Sequence, residues 1–219
     1  GYVSCGRWSP KNYSGGFRGR MTLKEALARS INTIAVKLSL DVGRDKIIEN
    51  MKKMGIPYIR KSCSMALGDT GMTSLDHTGG YAVFAAGGME VRPYGVEEIQ
   101  TLQGDVLYSH ARDEKPRKQI FDRKVVEQLN PMLQEVVLSG TGKAAQLDFT
   151  YSAGKTGTSS NYRDAWFLGY TGQYVVGVWV GNDDFTPMAR VTGGSYPAQT
   201  WHSFMVQARD TGNIPSIPG

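Results

Sequence analysis

The 219-residue sequence has no long hydrophobic run, almost no cysteine and little histidine. No stretch of 18 or more apolar residues occurs, so no helix in it is expected to span a bilayer. Its first residues, Gly1-Tyr2-Val3-Ser4-Cys5-Gly6-Arg7-Trp8, lack a basic stretch followed by an apolar core. No signal peptide is therefore expected here, and any export signal would lie outside this chain. The two cysteines, Cys5 and Cys63, are too few for a disulfide framework and form no C-x-x-C; their pairing stays open. His77, His110 and His202 are too scattered to suggest a metal site, and no cofactor is expected. Charge of one sign is also weak. A net +5 favours anionic surroundings without choosing among nucleic acid, lipid headgroups and acidic polymers.

What is present is the composition of a folded chain: 40% hydrophobic and 21% charged residues, which excludes a disordered tail. The length suits one domain or a large piece of one. Residues 1–21 read as irregular, with turn chemistry around Ser9-Pro10-Lys11-Asn12-Tyr13-Ser14-Gly15-Gly16. Thr22-Leu23-Lys24-Glu25 is a capping box, with Thr22 as cap and Glu25 reaching back, and predicts a helix to about Arg29. Ile31, Ile34, Ala35 and Leu38 form a second helical stripe. Asp45 is placed to cap a third helix over 46–54, ended by Gly55. Thr73 opens a fourth, which Gly87-Gly88 stops. Residues 95–101 and 105–109 read as a hairpin around Gln103-Gly104-Asp105.

The charged stretch from Arg112 to Lys124 reads as a solvated loop, and Asp122 caps a helix to Leu138 with Pro131 kinking or restarting it. The last third changes character. Three β-branched, aromatic-rich segments, 150–158, 164–170 and 174–180, predict strands. Pro197 then starts a helix whose apolar face is Trp201, Phe204, Met205 and Ala208. Trp179 and Trp201 are expected in the core. Helices followed by an antiparallel sheet and a closing helix place the chain in the α+β class.

Two constellations could carry chemistry. On the first predicted strand, Lys155-Thr156-Gly157-Thr158 puts a positive charge beside a cleft. Thr156 and Thr158 share a strand face and can bind a carboxylate, and Gly157 lets a substrate backbone lie against the strand. A backbone N–H there can form half of an oxyanion hole. The second is Ser30-Ile31-Asn32, at a helix break, where a hydroxyl and an amide can face one cleft to relay a proton and hold a substrate amide. Taken singly, the first also reads as an edge strand with a surface lysine and the second as a helix cap. Ser139-Gly140-Thr141-Gly142-Lys143-Ala144 is a false phosphate loop, with Val137 and Ala144 at the positions that need glycine and Ser/Thr.

Taken together, these segments supply two of three motifs of penicillin-interacting serine enzymes, S-x-N and K-T-G, in the right order. The chain resembles the transpeptidase domain of class A (bifunctional) penicillin-binding proteins. Ser9-Pro10-Lys11-Asn12-Tyr13, Leu23 to Thr33, Ala66-Leu67-Gly68, Gly80-Tyr81-Ala82, Gly140-Thr141-Gly142, Gly154 to Thr158, Asp164 to Tyr170, Pro197-Ala198 and Trp201 carry the likeness over nearly the whole length. It implies a central antiparallel sheet flanked by helices on both faces. It also implies acyl transfer through a serine ester, cross-linking peptidoglycan stem peptides that end in D-Ala-D-Ala, and binding of β-lactams.

One motif departs from the family pattern. The nucleophilic serine of S-x-x-K belongs upstream of S-x-N, and nothing before Ser30 fits. Ser152 does lie three residues before Lys155. Positions three apart on a strand point to opposite faces, so this pair is a decoy. The whole of 1–219 is therefore expected to be a partial transpeptidase domain, with its nucleophile, a glycosyltransferase domain and the membrane anchor in upstream polypeptide. The resemblance implies roles residue by residue. Ser30 passes a proton and Asn32 bonds the upstream lysine or the substrate amide. Lys155 supplies positive potential and bonds to Ser30. Thr156 and Thr158 hold the terminal carboxylate beside Gly157, and the Thr158 N–H completes the oxyanion hole. The expected partners are stem peptides, β-lactams and the upstream polypeptide. No nucleic acid is expected, and membrane contact only through the anchor, at the extracytoplasmic (periplasmic) face of the bacterial cytoplasmic membrane. A β-lactamase or β-lactam sensor on the same scaffold, or a non-catalytic scaffold module, are the alternatives.

Overall fold

Local capping starts the helical half. In this computed structural model, which describes residues 1–217, α1 (Leu23–Ala28) begins where Thr22 Oγ1 accepts the Glu25 N–H at 3.1 Å. The second half of the expected capping box does not form. The Glu25 carboxylate pairs instead with Arg29 Nε one turn on, at 3.1 Å. α2 (Asn32–Val42) buries Thr33, Val36 and Ser39. The expected stripe of Ile31, Ile34, Ala35 and Leu38 is only half-buried, with Leu38 38% exposed. The inner face consists of small residues because α2 packs closely on the turn at Met65–Leu67 and on α3 (Arg44–Lys53). Gly43, at φ +95°, makes the bend that starts α3. Asp45 sits within its first turn rather than capping it, and bonds Lys61 Nζ at 2.7 Å.

α4 (Ser74–Ala85) starts at Thr73, whose hydroxyl accepts the Asp76 N–H at 3.1 Å. Gly87 and Gly88, both at positive φ, end it. β1 (Glu98–Gln100) and β2 (Val106–Ser109) pair antiparallel as a separate hairpin, turned at Gly104. The expected solvated loop is partly ordered: α5 (His110–Asp113) opens it, and Arg92 clamps Glu90 and Glu114 at 2.6 and 2.7 Å. α6 (Arg123–Leu138) is capped by Asp122 and runs unbroken past Pro131. Pro131 faces solvent, while Val126, Asn130, Leu133, Val136 and Val137 face inward.

β3 (Ala153–Thr158), β4 (Asp164–Tyr170) and β5 (Val175–Gly181) form an antiparallel sheet in that order, followed by α7 (Tyr196–Arg209). On one face, Phe167 packs with Trp201, Met205 and Ala198 of α7 and with Val137. On the other, Ala153 and Tyr170 pack with Leu133, Tyr81 and Phe84 of α6 and α4. The sheet therefore lies between helices. Gly169 is required here, because a Cβ would stand 2.9 Å from the Trp201 ring. Two aromatic expectations fail. Phe204 is 47% exposed, its ring edge meeting Tyr174. Trp179 is 40% exposed and donates to Asp164 at 3.0 Å.

Cys5 and Cys63 are bonded to each other across 58 residues, tying the irregular N-terminal segment to the turn before Met65. No helix among the described residues is long and apolar enough to cross a membrane.

Candidate active site

β3 is an edge strand, and its ladder decides what it offers. Ser159 N–H donates to the Asp164 carbonyl at 2.9 Å, which makes that residue pair a hydrogen-bonded one. Antiparallel pairs alternate, so Thr158–Ala165 and Thr156–Phe167 are the non-bonded pairs. The backbone N–H and C=O of Thr156 and Thr158 thus point to the free edge. Side chains alternate as well. Lys155 leaves one face with Leu168 and Trp166, and Thr156 and Thr158 leave the other with Phe167.

Lys155 curls round that edge. Its Nζ donates to Ser30 Oγ at 2.8 Å and to the Thr156 carbonyl at 3.0 Å. No carboxylate among the described residues pairs with it, and burial pulls its pKa down to about 8. The site therefore holds a cation with no ion-pair partner among the described residues, which gives up its proton more readily than an ordinary lysine.

Ser30 is delivered by a Schellman motif at the end of α1. Ile31 N–H donates to Ala26 O and Ser30 N–H to Leu27 O, both at 3.0 Å. The left-handed position of that motif usually takes glycine, yet here Ser30 sits at φ +54°. A side chain held there against a cost of roughly 1–2 kcal/mol is the kind of strain found at functional sites.

The false phosphate loop forms a turn with a different use. Thr141 N–H donates to Ala28 O at 3.0 Å, closing the Ser139–Gly142 turn onto the end of α1. Gly140 leaves the room: a Cβ there would collide with the Ala28 carbonyl and lie 2.9 Å from Val136 Cα. Docked this way, Thr141 Oγ1 shares a 2.6 Å hydrogen bond with Thr156 Oγ1. Thr158 Oγ1 accepts the Gly193 N–H at 3.1 Å and keeps its own proton to donate. Gly193 lies flat on β3, where a Cβ would be 2.6 Å from the Gly157 carbonyl oxygen. Gly157 itself is not forced by packing, since a Cβ would meet only Trp166 at ordinary contact, 3.4 Å. The protein leaves that space open.

Asn32 opens α2, and its amide nitrogen donates to the Lys11 carbonyl at 2.8 Å. Asn12 Oδ1 answers by accepting the Thr33 N–H at 3.1 Å, a helix cap supplied from another segment. The Tyr13 and Tyr162 hydroxyls, 3.1 Å apart, tie the same segment to the chain beyond β3. Ser152, three residues before Lys155, is buried, and its hydroxyl has no partner among the described residues. The structure thus brings Ser30, Lys155 and Thr156 together by direct bonds and sets Thr158 and Gly157 along the same edge. The Asn32 nitrogen is engaged elsewhere. Sequence reading named Lys11, Asn12 and Thr141 only as part of the family likeness and Gly193 not at all, and gave none of them a role, because their parts depend on contacts between distant segments. Only the small-residue runs Gly140-Thr141-Gly142 and Thr192-Gly193-Gly194 hinted at close approach.

The penicillin binding protein transpeptidase domain model matches residues 2–205. The chain belongs to that family. Penicillin-binding protein 1A of Aquifex aeolicus is 37% identical over 199 residues, covering 90% of this chain and 27% of the relative. Penicillin-binding protein 1A of Rickettsia prowazekii is 34% identical, covering 96% of the chain and 29% of the relative. The chain thus spans less than a third of the length of these penicillin-binding proteins. The crystal structure of Penicillin-Binding Protein 1A from Haemophilus influenzae superposes with a TM-score of 0.83 at 23% identity, over 94% of this chain and 37% of that one. PonA1 of Mycobacterium tuberculosis in complex with penicillin V gives 0.87 at 22%, over 99% and 64%. These last two likenesses establish the transpeptidase fold.

Proposed function

We propose that this chain supplies the proton-relay and carboxylate-binding half of a serine-type peptidoglycan DD-transpeptidase, whose nucleophilic serine and partner lysine come from preceding polypeptide. The observation that carries the proposal is the Lys155–Ser30 contact, 2.8 Å across 125 residues, with no carboxylate among the described residues paired with the amine. An unpaired, half-buried ammonium next to two threonine hydroxyls suits the terminal carboxylate of a D-Ala-D-Ala peptide, or that of a β-lactam. In the reaction, a serine oxygen attacks the penultimate carbonyl and the oxyanion is held by N–H groups, that of Thr158 at the free edge among them. Ser30, fed by Lys155, gives the proton that the departing D-alanine amine needs. The resulting ester is resolved by the amine of a second stem peptide. Asn32 has its Oδ1 left to accept from the incoming lysine or the substrate amide.

The Cys5–Cys63 bond supports an oxidising compartment, consistent with the extracytoplasmic membrane face. A glycosyltransferase domain and membrane anchor in the same polypeptide complete the proposal.

Fluorescent penicillin tests it. The full-length protein becomes covalently labelled at an upstream serine, and residues 1–219 alone remain unlabelled. Label mapping to Ser152 would overturn the assignment. An acyl-enzyme that turns over in seconds would indicate a β-lactamase instead, and a full-length sequence lacking S-x-x-K would indicate a scaffold.

A further inference from the structure

We infer that the cleft beside Ser30 is an anion subsite that holds a second carboxylate of the peptide substrate, apart from the terminal one; the inference rests on the transpeptidase reading above. The cleft, of about 280 Å³, opens between the N-terminal segment, the α1–α2 junction and the Ser139–Thr141 turn. Asn12, Arg18, Arg29, Ser30, Ser139 and Thr141 contribute to its lining, and no acidic side chain among the described residues does. Its polar side chains are guanidinium, amide and hydroxyl groups, all able to donate hydrogen bonds.

The two arginines are differently placed. Arg18 has no ion-pair or hydrogen-bond partner among the described residues. Arg29 is held by Nε on Glu25, which leaves its terminal nitrogens without a described partner. A neighbouring hollow of about 370 Å³ gives the contrast. It contains Glu25 and Glu135 beside Lys24 and Arg29, and Lys24 meets Glu135 at 3.0 Å. The two hollows share Arg29 and Ser139, and Arg29 is paired through Nε with Glu25; the one that touches Ser30 adds Arg18, a cation without an ion-pair partner among the described residues.

The cationic cleft is continuous with the chemistry. Ser30 at its rim bonds Lys155, and Thr141 bonds Thr156. A peptide whose end lies at Thr156 and Thr158 would bring a carboxylate one or two residues away, or one on an incoming strand, within reach of a guanidinium fork. Two sources share this chemistry: the donor strand that acylates the serine, and the acceptor strand that releases it.

The test uses the purified full-length protein and has one arm for each source. In the donor arm, two pentapeptides differ only in carrying a free carboxylate or its primary amide upstream of the D-Ala-D-Ala end, and D-alanine release is followed. In the acceptor arm, one donor that keeps its terminal carboxylate and has its upstream carboxylate amidated is combined with acceptor amines carrying the carboxylate or the amide, and product partition is measured. The wild type prefers acid over amide by about tenfold or more in one arm, which names the strand. The preference falls to within about twofold of unity in the Arg18→Gln/Arg29→Gln double variant and is partly lost in Arg18→Gln, a change that leaves no protein group unpaired. Lys46→Gln, on exposed α3, keeps it. A wild type without preference in either arm, or a preference that survives in the double variant, overturns the subsite. Absence of fluorescent-penicillin labelling of the wild type overturns the transpeptidase reading instead, so the two failures are distinguishable.

Discussion

The Lys155 ammonium donates to the Ser30 hydroxyl at 2.8 Å, and the serine that receives it is held in a left-handed backbone conformation at φ +54°. A strand edge and a helix terminus, remote in sequence, meet through one hydrogen bond. Its two partners respond differently to substitution and to pH.

The charge on Lys155 sets a pH signature. Burial lowers its pKa to about 8, so the cation is lost as pH rises through that value. β-Lactam acylation by the full-length protein should fall above about pH 8, and in Lys155→Arg that fall should be absent to beyond pH 9. Stability runs the other way. The unfolded lysine keeps its proton up to its ordinary value of 10.5, so the unfolded state binds more protons between the two values and folding strengthens with rising pH across that window. Stopped-flow acylation and denaturant titration at matched pH values check both signs.

Lys155→Ala removes the cation and the donor to Ser30 together. Loss of a charge interaction made in the transition state, about 3 kcal/mol, slows acylation by a hundredfold or more while the fold is kept. Unchanged acylation in Lys155→Ala would remove this residue from the site.

Ser30→Gly and Ser30→Ala separate strain from chemistry. Both lose the hydroxyl, so both should lower acylation. Glycine relaxes the positive φ and alanine does not, so the glycine variant should be more stable than the alanine variant by about 1 kcal/mol. Thermal melting and penicillin-labelling rates on the same samples make the comparison.

Glycine positions on the two faces of β3 should behave oppositely. Gly193→Ala drives a Cβ into the Gly157 carbonyl and should cost roughly 1–3 kcal/mol. Gly157→Ala meets only ordinary contact and should melt like wild type, yet acylate slowly because the space left for substrate is filled.

The disulfide should be a staple. Closing a loop across 58 residues is worth about 4 kcal/mol in the chain-entropy account. A reductant should lower the melting temperature of the wild type and leave Cys5→Ser/Cys63→Ser unmoved, and mass shift on alkylation reports the state of the pair.

The local parts of the structure were legible because their causes are local. Thr22, Thr73 and Asp122 cap helices whose first turns lie within three residues. The three strands follow from β-branched runs, and the sharing of a face by Thr156 and Thr158 follows from period two. The Ser30–Lys155 pairing was legible only through the family resemblance, since no spacing rule links residues 125 apart. Burial was misread wherever it depended on the neighbour rather than the residue. Leu38 and Phe204 sit at plausible helical positions, yet they stay 38% and 47% exposed, Phe204 resting against Tyr174 at the sheet's side rather than in the core. Glu25 was expected to reach back along its helix, but Arg29 one turn ahead offers a charge rather than a neutral N–H.

The order of side chains along each element, and hence that a lysine and two threonines would leave opposite faces of one strand, is written in the sequence by the geometry of the extended chain. Which distant groups those side chains find is a matter of packing. The Thr141 hydroxyl on Thr156, the Asn32 amide on Lys11, Gly193 against β3 and the union of Cys5 with Cys63 exist only once segments far apart in the sequence are pressed together. Contacts of that kind are set by the burial of the whole core, a sum over many weak terms that no short stretch of residues contains.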